Sequence, residues 1–213
     1  MSIHSSAVVY TYADRFLNER VRRGGVELPC REVRVKKRDL AVTAVTAAVV
    51  ALARDGRIRL SVGERRALLG LRKRPTVLVG GTGGAARDSG IEGAILDSLS
   101  RSGDALVIPK LVEALLPISG DPWGAVIAEI EEDLLEQGYL SEGERGRAGR
   151  FFLGKKLEPE CERMLELERQ VEPTLQMLAS FHQANGTLYD QLVKDLRQAI
   201  QSRLEVDVDI DFD

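Results

Sequence analysis

The residues best suited to chemistry in this chain are cations clustered beside apolar side chains. Residues 61–74 read SVGERRALLGLRKR, which sets Arg65, Arg66, Arg72, Lys73 and Arg74 around Leu68, Leu69 and Leu71. A second set, Arg145, Arg147 and Arg150, runs directly into Phe151, Phe152 and Leu153. Guanidinium groups grip carboxylates and phosphates through paired, charge-assisted hydrogen bonds. Apolar side chains beside them add a surface for a protein partner or for the interfacial layer of a membrane. The expected chemistry is capture of an anionic partner, with no bond made or broken.

Other stretches imitate reactive sites and fall short of them. Residues 77–86 (VLVGGTGGAA) carry the spacing Gly81-x-Gly83-x-x-Ala86 of a dinucleotide-binding turn. That turn needs a helix beginning at the glycines, so that its first N–H groups meet the pyrophosphate. Here Arg87, Asp88, Ser89 and Gly90 intervene, and the stretch reads as a loop. In the final EVDVDIDFD, Asp207, Asp209 and Asp211 resemble the first ligands of a calcium loop, but the turn glycine and closing glutamate do not follow. An edge strand, or an acidic tail seated on a basic surface, fits this alternation better. His4 falls in a stretch that reads as frayed, and His182 on a helix with no neighbouring nucleophile. No nucleophile, base and oxyanion donor share a recognisable spacing. A non-enzyme without cofactor or metal is expected.

The charge is unevenly spread. Residues 1–75 hold 17 Lys and Arg against 7 Asp and Glu, whereas residues 76–213 hold 13 against 26. The basic third therefore faces an anionic partner or the acidic remainder of its own chain. No apolar run approaches the ~20 residues that span a bilayer. The opening MSIHSSAVVYTYADRF lacks the basic and apolar regions of a secretory signal. Cys30 and Cys161 lie far apart without metal-ligand spacing, which fits a reducing cytoplasm. The basic hairpins leave room for attachment to a membrane surface.

The elements that must position these side chains follow from periodicity. A helix is expected over 13–23, a short strand over 27–37, and an apolar helix from an Asp39 cap to Arg54, ended by Gly56. Strands over 57–60 and 76–79 flank the first basic segment. Helices over 91–100 and 108–116 precede an amphipathic helix from Asp121 to Gly138, followed by the second hairpin. Its stripe is Val126, Ile127, Ile130, Leu134 and Leu135, and Glu129, Glu131, Glu132, Asp133 and Glu136 are expected to cover the rest. The two halves repeat at an offset of 82: Asp39 matches Asp121, Leu52 matches Leu134, Gly56 matches Gly138 and Ile58 matches Leu140. Helices over 159–172, 173–183 and 187–204 close the chain. The last has a Leu188, Leu192, Leu196, Ile200 stripe that needs a helix from this chain or another subunit to cover it.

The expected fold is α+β and mostly helical. It comprises a winged-helix-like unit over 1–79, a glycine-rich loop over 80–90, a second unit over 91–157, C-terminal helices over 158–204 and an acidic tail over 205–213. The order helix, helix, long helix, glycine, hairpin is that of a winged helix. The long helices are poor DNA readers, however. The first is apolar all round and the second is acidic, which phosphates would repel.

Over residues 43–157 the chain resembles the Golgi phosphoprotein 3 family, which has bacterial members. The likeness rests on AAVVALARDGRIRL (47–60), on PTVLVGGTGGAARDSGIEGAILDSLS (75–100) and on IEEDLLEQGYLSEGERGRAGRFFLG (130–154). It implies a peripheral membrane adaptor that binds a phosphoinositide and cargo tails, with Phe151, Phe152 and Leu153 at an apolar hairpin that meets the bilayer. The family's phosphoinositide pocket uses a tryptophan and arginines. The matching positions here are Val45, Val126 and Glu129, and Trp123 lies elsewhere.

The leading expectation is a non-catalytic adaptor that uses its basic hairpins and forms a homo-oligomer through its C-terminal helices. The partner would be a protein or an anionic surface of lipid headgroups or nucleic-acid phosphates. The alternatives are a winged-helix regulator touching DNA phosphates through its wings, and a phosphoinositide-type peripheral membrane protein.

Overall fold

The computed structural model describes residues 3–67, 72–83, 89–143 and 157–204. The architecture is α+β and mostly helical, with small antiparallel sheets. At its centre is α3 (Lys37–Arg54), whose residues from Leu40 to Leu52 are buried apart from Thr43. Alanines and valines on every face allow this, because neighbours can approach closely from all sides. Around it pack α1 (Ser5–Thr11), α4 (Gly90–Ser102), α6 (Pro122–Glu136), α8 (Val171–Ala184) and α9 (Gly186–Gln201).

The helix–glycine–strand junction recurs in the two halves. In the first half α3 ends with Gly56 at φ +71°, Arg57 N–H bonds to the Leu52 carbonyl, and β3 (Ile58–Ala67) begins. In the second, α6 ends with Gly138 at φ +74°, Tyr139 N–H bonds to the Leu134 carbonyl, and β6 (Leu140–Glu142) begins. Both glycines take the left-handed turn that closes a helix. The starts differ. Asp121 caps α6 by accepting from Gly124 N–H at 2.9 Å. The first helix begins earlier than expected, at Lys37, which puts Asp39 inside its first turn, where it pairs with Arg197 at 3.4 Å.

The sheets are set by short-range pairing. β3 and β4 (Arg72–Gly81) form an antiparallel hairpin of ten residues on each side, and β5 (Leu106–Val107) adds to the root of β4. β6 pairs with β7 (Leu157–Pro159). A two-residue ribbon joins β1 (Val26–Glu27) to β2 (Arg34–Val35), in place of the single strand expected over 27–37.

Three expectations about helices are corrected. The helix expected over 13–23 is only α2 (Ala13–Phe16), and Leu17 is already extended. Before it, the stretch that reads as frayed is the buried helix α1, since packing of Val8, Val9 and Tyr10 outweighs weak local propensity. Near the end, α7 (Cys161–Glu168) and α8 break at Arg169–Gln170, so Pro173 sits in the first turn of α8, where its missing N–H costs nothing. The α9 stripe is covered within the chain. Leu192, Leu196 and Ile200 are fully buried, and α9 packs against α3, α5 (Ile108–Leu115), α8 and β4.

Cys30 and Cys161, expected as separate thiols, form a disulfide across 131 residues of sequence. It ties the turn after β1 to the start of α7 and removes the cysteine argument for a reducing compartment. Among the described residues no helix is long and apolar enough to cross a membrane.

Candidate functional site

The β3–β4 hairpin places cations together more tightly than the sequence suggests. Its root is embedded: Ile58, Val77 and Val79 are buried. On β3 it leaves the core at Val62, which is 51% exposed, whereas β4 stays buried as far out as Thr76, and Glu64, Pro75 and Arg74 lie on the surface. In this outer half the register sets Arg65 opposite Arg74, Arg66 opposite Lys73, and Ala67 opposite Arg72. Like charges directly across a ladder destabilise it.

Strand alternation then sorts the residues by face. Arg59, Ser61, Gly63 and Arg65 share one face of β3, and their partners Gly80, Leu78, Thr76 and Arg74 share that face of β4. Arg57 continues it, since Thr82 N–H bonds to the Arg57 carbonyl at 3.1 Å. Among the residues with described side chains, one face of the hairpin thus carries Arg57, Arg59 and Arg74. At its root lies an open groove between the sheet and the end of α4, lined by Arg57, Arg59, Ser61, Gly80, Leu96 and Leu99. Arg57 and Arg59 were not among the expected site residues. Their i, i+2 spacing with Arg65 in one strand was the available signal.

The second set, Arg145, Arg147, Arg150, Phe151, Phe152 and Leu153, lies outside the described residues, which resume at β7. Around the glycine turn, β4 ends at Gly81 and α4 starts at Gly90, and residues 84–88 of the turn lie outside the described residues.

The positions matched to a phosphoinositide pocket do come together. Val45, Val126 and Glu129 line one concavity with Ile91, Val112 and Ile200. Its volume is about 20 Å³, room for about one water. Burial, and then the nearby Glu132, hold the Glu129 carboxyl above its usual range. A small apolar hollow with an acid at its mouth offers a phosphate no donor.

The densest polar cluster is one the sequence reading missed. His4, 8% exposed, sets Nδ1 2.8 Å from Asp133 Oδ2. Ser89 Oγ–H donates to the other Asp133 oxygen, and Gln137 closes the group. Beside it, Glu92 accepts from Ser6 N–H at 3.0 Å and from Ser6 Oγ–H at 2.7 Å. Burial pushes the Glu92 carboxyl up against the opposing pull of His4. For Asp133 burial also pushes upward, but the hydrogen bonds from His4 and Ser89 outweigh it and hold the carboxyl below its usual value. Asp133, expected among the solvated acids of α6, is 2% exposed. The signal was its place beside Ile130 and Leu134 on the apolar stripe. Glu131 likewise turns inward to accept from Tyr10 Oη–H at 2.6 Å, and burial together with that carboxylate raises the phenol's pKa. With both acids and His4 sealed from solvent, the cluster clamps α1, α4 and α6 together and offers a substrate no access.

His182 stays at the surface, 3.5 Å from Asp190 and stacked near Tyr189. No family model, curated protein or solved structure matches this chain.

Proposed function

We propose that this chain is a non-catalytic binding protein whose β3–β4 hairpin contacts an anionic lipid surface. The observation that carries the reading is the register: two like-charged pairs in succession, on a hairpin that leaves the core, next to a connector whose sequence is Leu68, Leu69, Gly70, Leu71. Cations flanking apolar residues suit the interfacial layer, where headgroups meet the cations and acyl chains meet the leucines. The repeated helix–glycine–hairpin unit is winged-helix-like in order. In this reading its helices are scaffold and its hairpin is the contact. The buried α3 and the acidic outer face of α6 offer no recognition helix for DNA.

Vesicle flotation tests this. The protein should float with phosphatidylcholine vesicles containing phosphatidylglycerol, stay behind with pure phosphatidylcholine, and detach as salt rises. Arg59→Glu and Arg74→Glu should each weaken binding about fivefold or more, from about 1 kcal/mol per cation near the surface. Tighter binding to duplex DNA than to these vesicles would favour a nucleic-acid partner. Binding to neither would end the reading.

A further inference from the structure

We propose that the Cys30–Cys161 disulfide is a reversible strap, opened by a dithiol reductant while the protein stays folded, and that its opening joins two clefts into one groove. The strap is independent of the lipid contact.

The first observation is access. Cys30 and Cys161 are both exposed. Open clefts of about 300 and 470 Å³ flank the bond, one lined by Tyr12, Met164 and Leu165, the other by Tyr10, Glu131 and Leu140. The two clefts share one wall, Pro29, Cys30 and Arg31, and the disulfide fastens that wall to the first residue of α7. Exchange requires a thiolate to reach one of the two sulfurs, so an exposed bond is open to attack where a buried one is sealed.

The second is the backbone. Cys30 has φ +57°, the one positive value at a non-glycine among the described residues. In this left-handed region a β-carbon crowds the neighbouring carbonyl. With the bond gone the Cys30 backbone is free to relax, which favours opening.

The third is that both sides keep other anchors, so that opening is local and the sulfurs stay near enough to rejoin. On the loop side, Leu28 is 2% exposed and its N–H bonds to the Val33 carbonyl at 2.9 Å. The Arg31 guanidinium lies 3.3 Å from the Asp14 carboxylate and 5.1 Å from the centre of the Tyr12 ring. On the other side, Tyr12 Oη–H donates to the Met164 carbonyl at 3.1 Å, and Glu160 N–H bonds to the Tyr139 carbonyl at 3.0 Å. Within α7 only Met164 and Leu167 are buried, so the bond is a large part of what restrains this helix.

The reductant supplies both electrons. One of its thiolates attacks a sulfur of the pair and forms a mixed disulfide, while the other sulfur leaves as a thiolate and takes a proton. The reductant's second thiolate then displaces the first sulfur, which closes the reductant's own disulfide and leaves Cys30 and Cys161 as thiols.

Three measurements on the intact chain test the strap, and none involves a membrane. A small dithiol in plain buffer should reduce the bond at a rate within about tenfold of its rate in urea at the same pH. A greater deficit means that the bond opens only through unfolding, and overturns the proposal. Hydrogen exchange read by mass spectrometry should be about tenfold faster at α7 in the reduced protein, and in the Cys30→Ser, Cys161→Ser variant, with α3 still protected. An unchanged α7, or an α3 that loses its protection, overturns it. Oxidised glutathione added after the dithiol is removed should restore the bond within the monomer; links formed only between chains overturn it.

Discussion

Replacing Asp133 by asparagine perturbs the buried cluster with little change in shape. The carboxylate is 2% exposed, bonded to His4 on one oxygen and to Ser89 on the other. Removing one partner of a buried, hydrogen-bonded pair costs about 3–5 kcal/mol. Asparagine keeps an acceptor for one neighbour, so about 3 kcal/mol is expected near pH 7. That is a large share of the 5–15 kcal/mol that holds a typical domain. The pH dependence fixes the cause. Asp133 is held below the unfolded carboxyl value of 3.8, so its contribution is present above that pH and disappears as the pH falls through the lower, folded value. The gap between wild type and Asp133→Asn should therefore close in strong acid. Glu92 has the opposite sign. Its folded value is raised above 4.5, so its contribution is present below that pH and is lost as the pH rises through the folded value. Glu92→Gln, which retains an acceptor for Ser6 N–H, should gain on wild type between about pH 4.5 and neutrality. Urea unfolding across a pH series, followed by far-ultraviolet circular dichroism with the disulfide intact, measures all of this. A cost for Asp133→Asn below about 0.5 kcal/mol, or a gap that widens in acid, would refute the clamp.

Three further predictions use the same unfolding assay. Gly90→Ala should cost about 2–3 kcal/mol, because φ is +63° and the new Cβ would lie 2.8 Å from the immobile Asp133 carboxyl carbon; an unchanged midpoint would contradict it. Asp195→Ala should cost about 2–4 kcal/mol, since the 4%-exposed carboxylate accepts from Val77 N–H at 2.8 Å, Thr76 Oγ1–H at 2.9 Å and Gln191 Nε2–H at 2.8 Å. A loss near zero there would mean that water replaces it. Removing the Cys30–Cys161 bond by the double serine variant should cost up to about 5 kcal/mol from the freedom returned to a 131-residue loop, and a dithiol should reproduce the effect in wild type.

Local signals were legible and long-range ones were not. The glycine that ends α3 and the one that ends α6, the Asp121 cap, and the alternation of β3 and β4 each depend on a few neighbouring residues. The sequence pattern therefore places the glycines and the cap, but the strands expected over 57–60 and 76–79 run on to 58–67 and 72–81, because their outer pairing depends on the partner strand. Asp39 misled because a capping residue also suits the first turn, and Lys36 and Lys37 start the helix before it. His4, Glu92 and Asp133 join three helices separated by more than forty residues at each step, and no spacing rule links them. The disulfide is invisible for the same reason. The hairpin was half legible. Its cations were evident, but their cross-strand register, and the membership of Arg57 and Arg59, needed the paired strand.

The proposed binding role rests on how the hairpin is anchored. His4, Glu92, Asp133 and Asp195 are buried in full, and their hydrogen-bonding capacity is taken up in joining α1 to α4 and α6, and α9 to β4. The exposed Arg59 and Arg74 lie on a hairpin whose root those same contacts hold in place. Asp195 accepts from Val77 N–H and Thr76 Oγ1–H at the outermost buried positions of β4, next to the exposed Pro75 and Arg74. A rigid root with a charged, projecting end resists recoil when the end meets a surface, so less of the binding energy is lost to ordering the arm. On this argument Asp195→Ala should weaken anionic-vesicle binding as well as stability, although it lies away from the contact and removes a negative charge that by itself would favour binding. If it bound more tightly, charge alone would govern the hairpin and the anchored root would be irrelevant to its function.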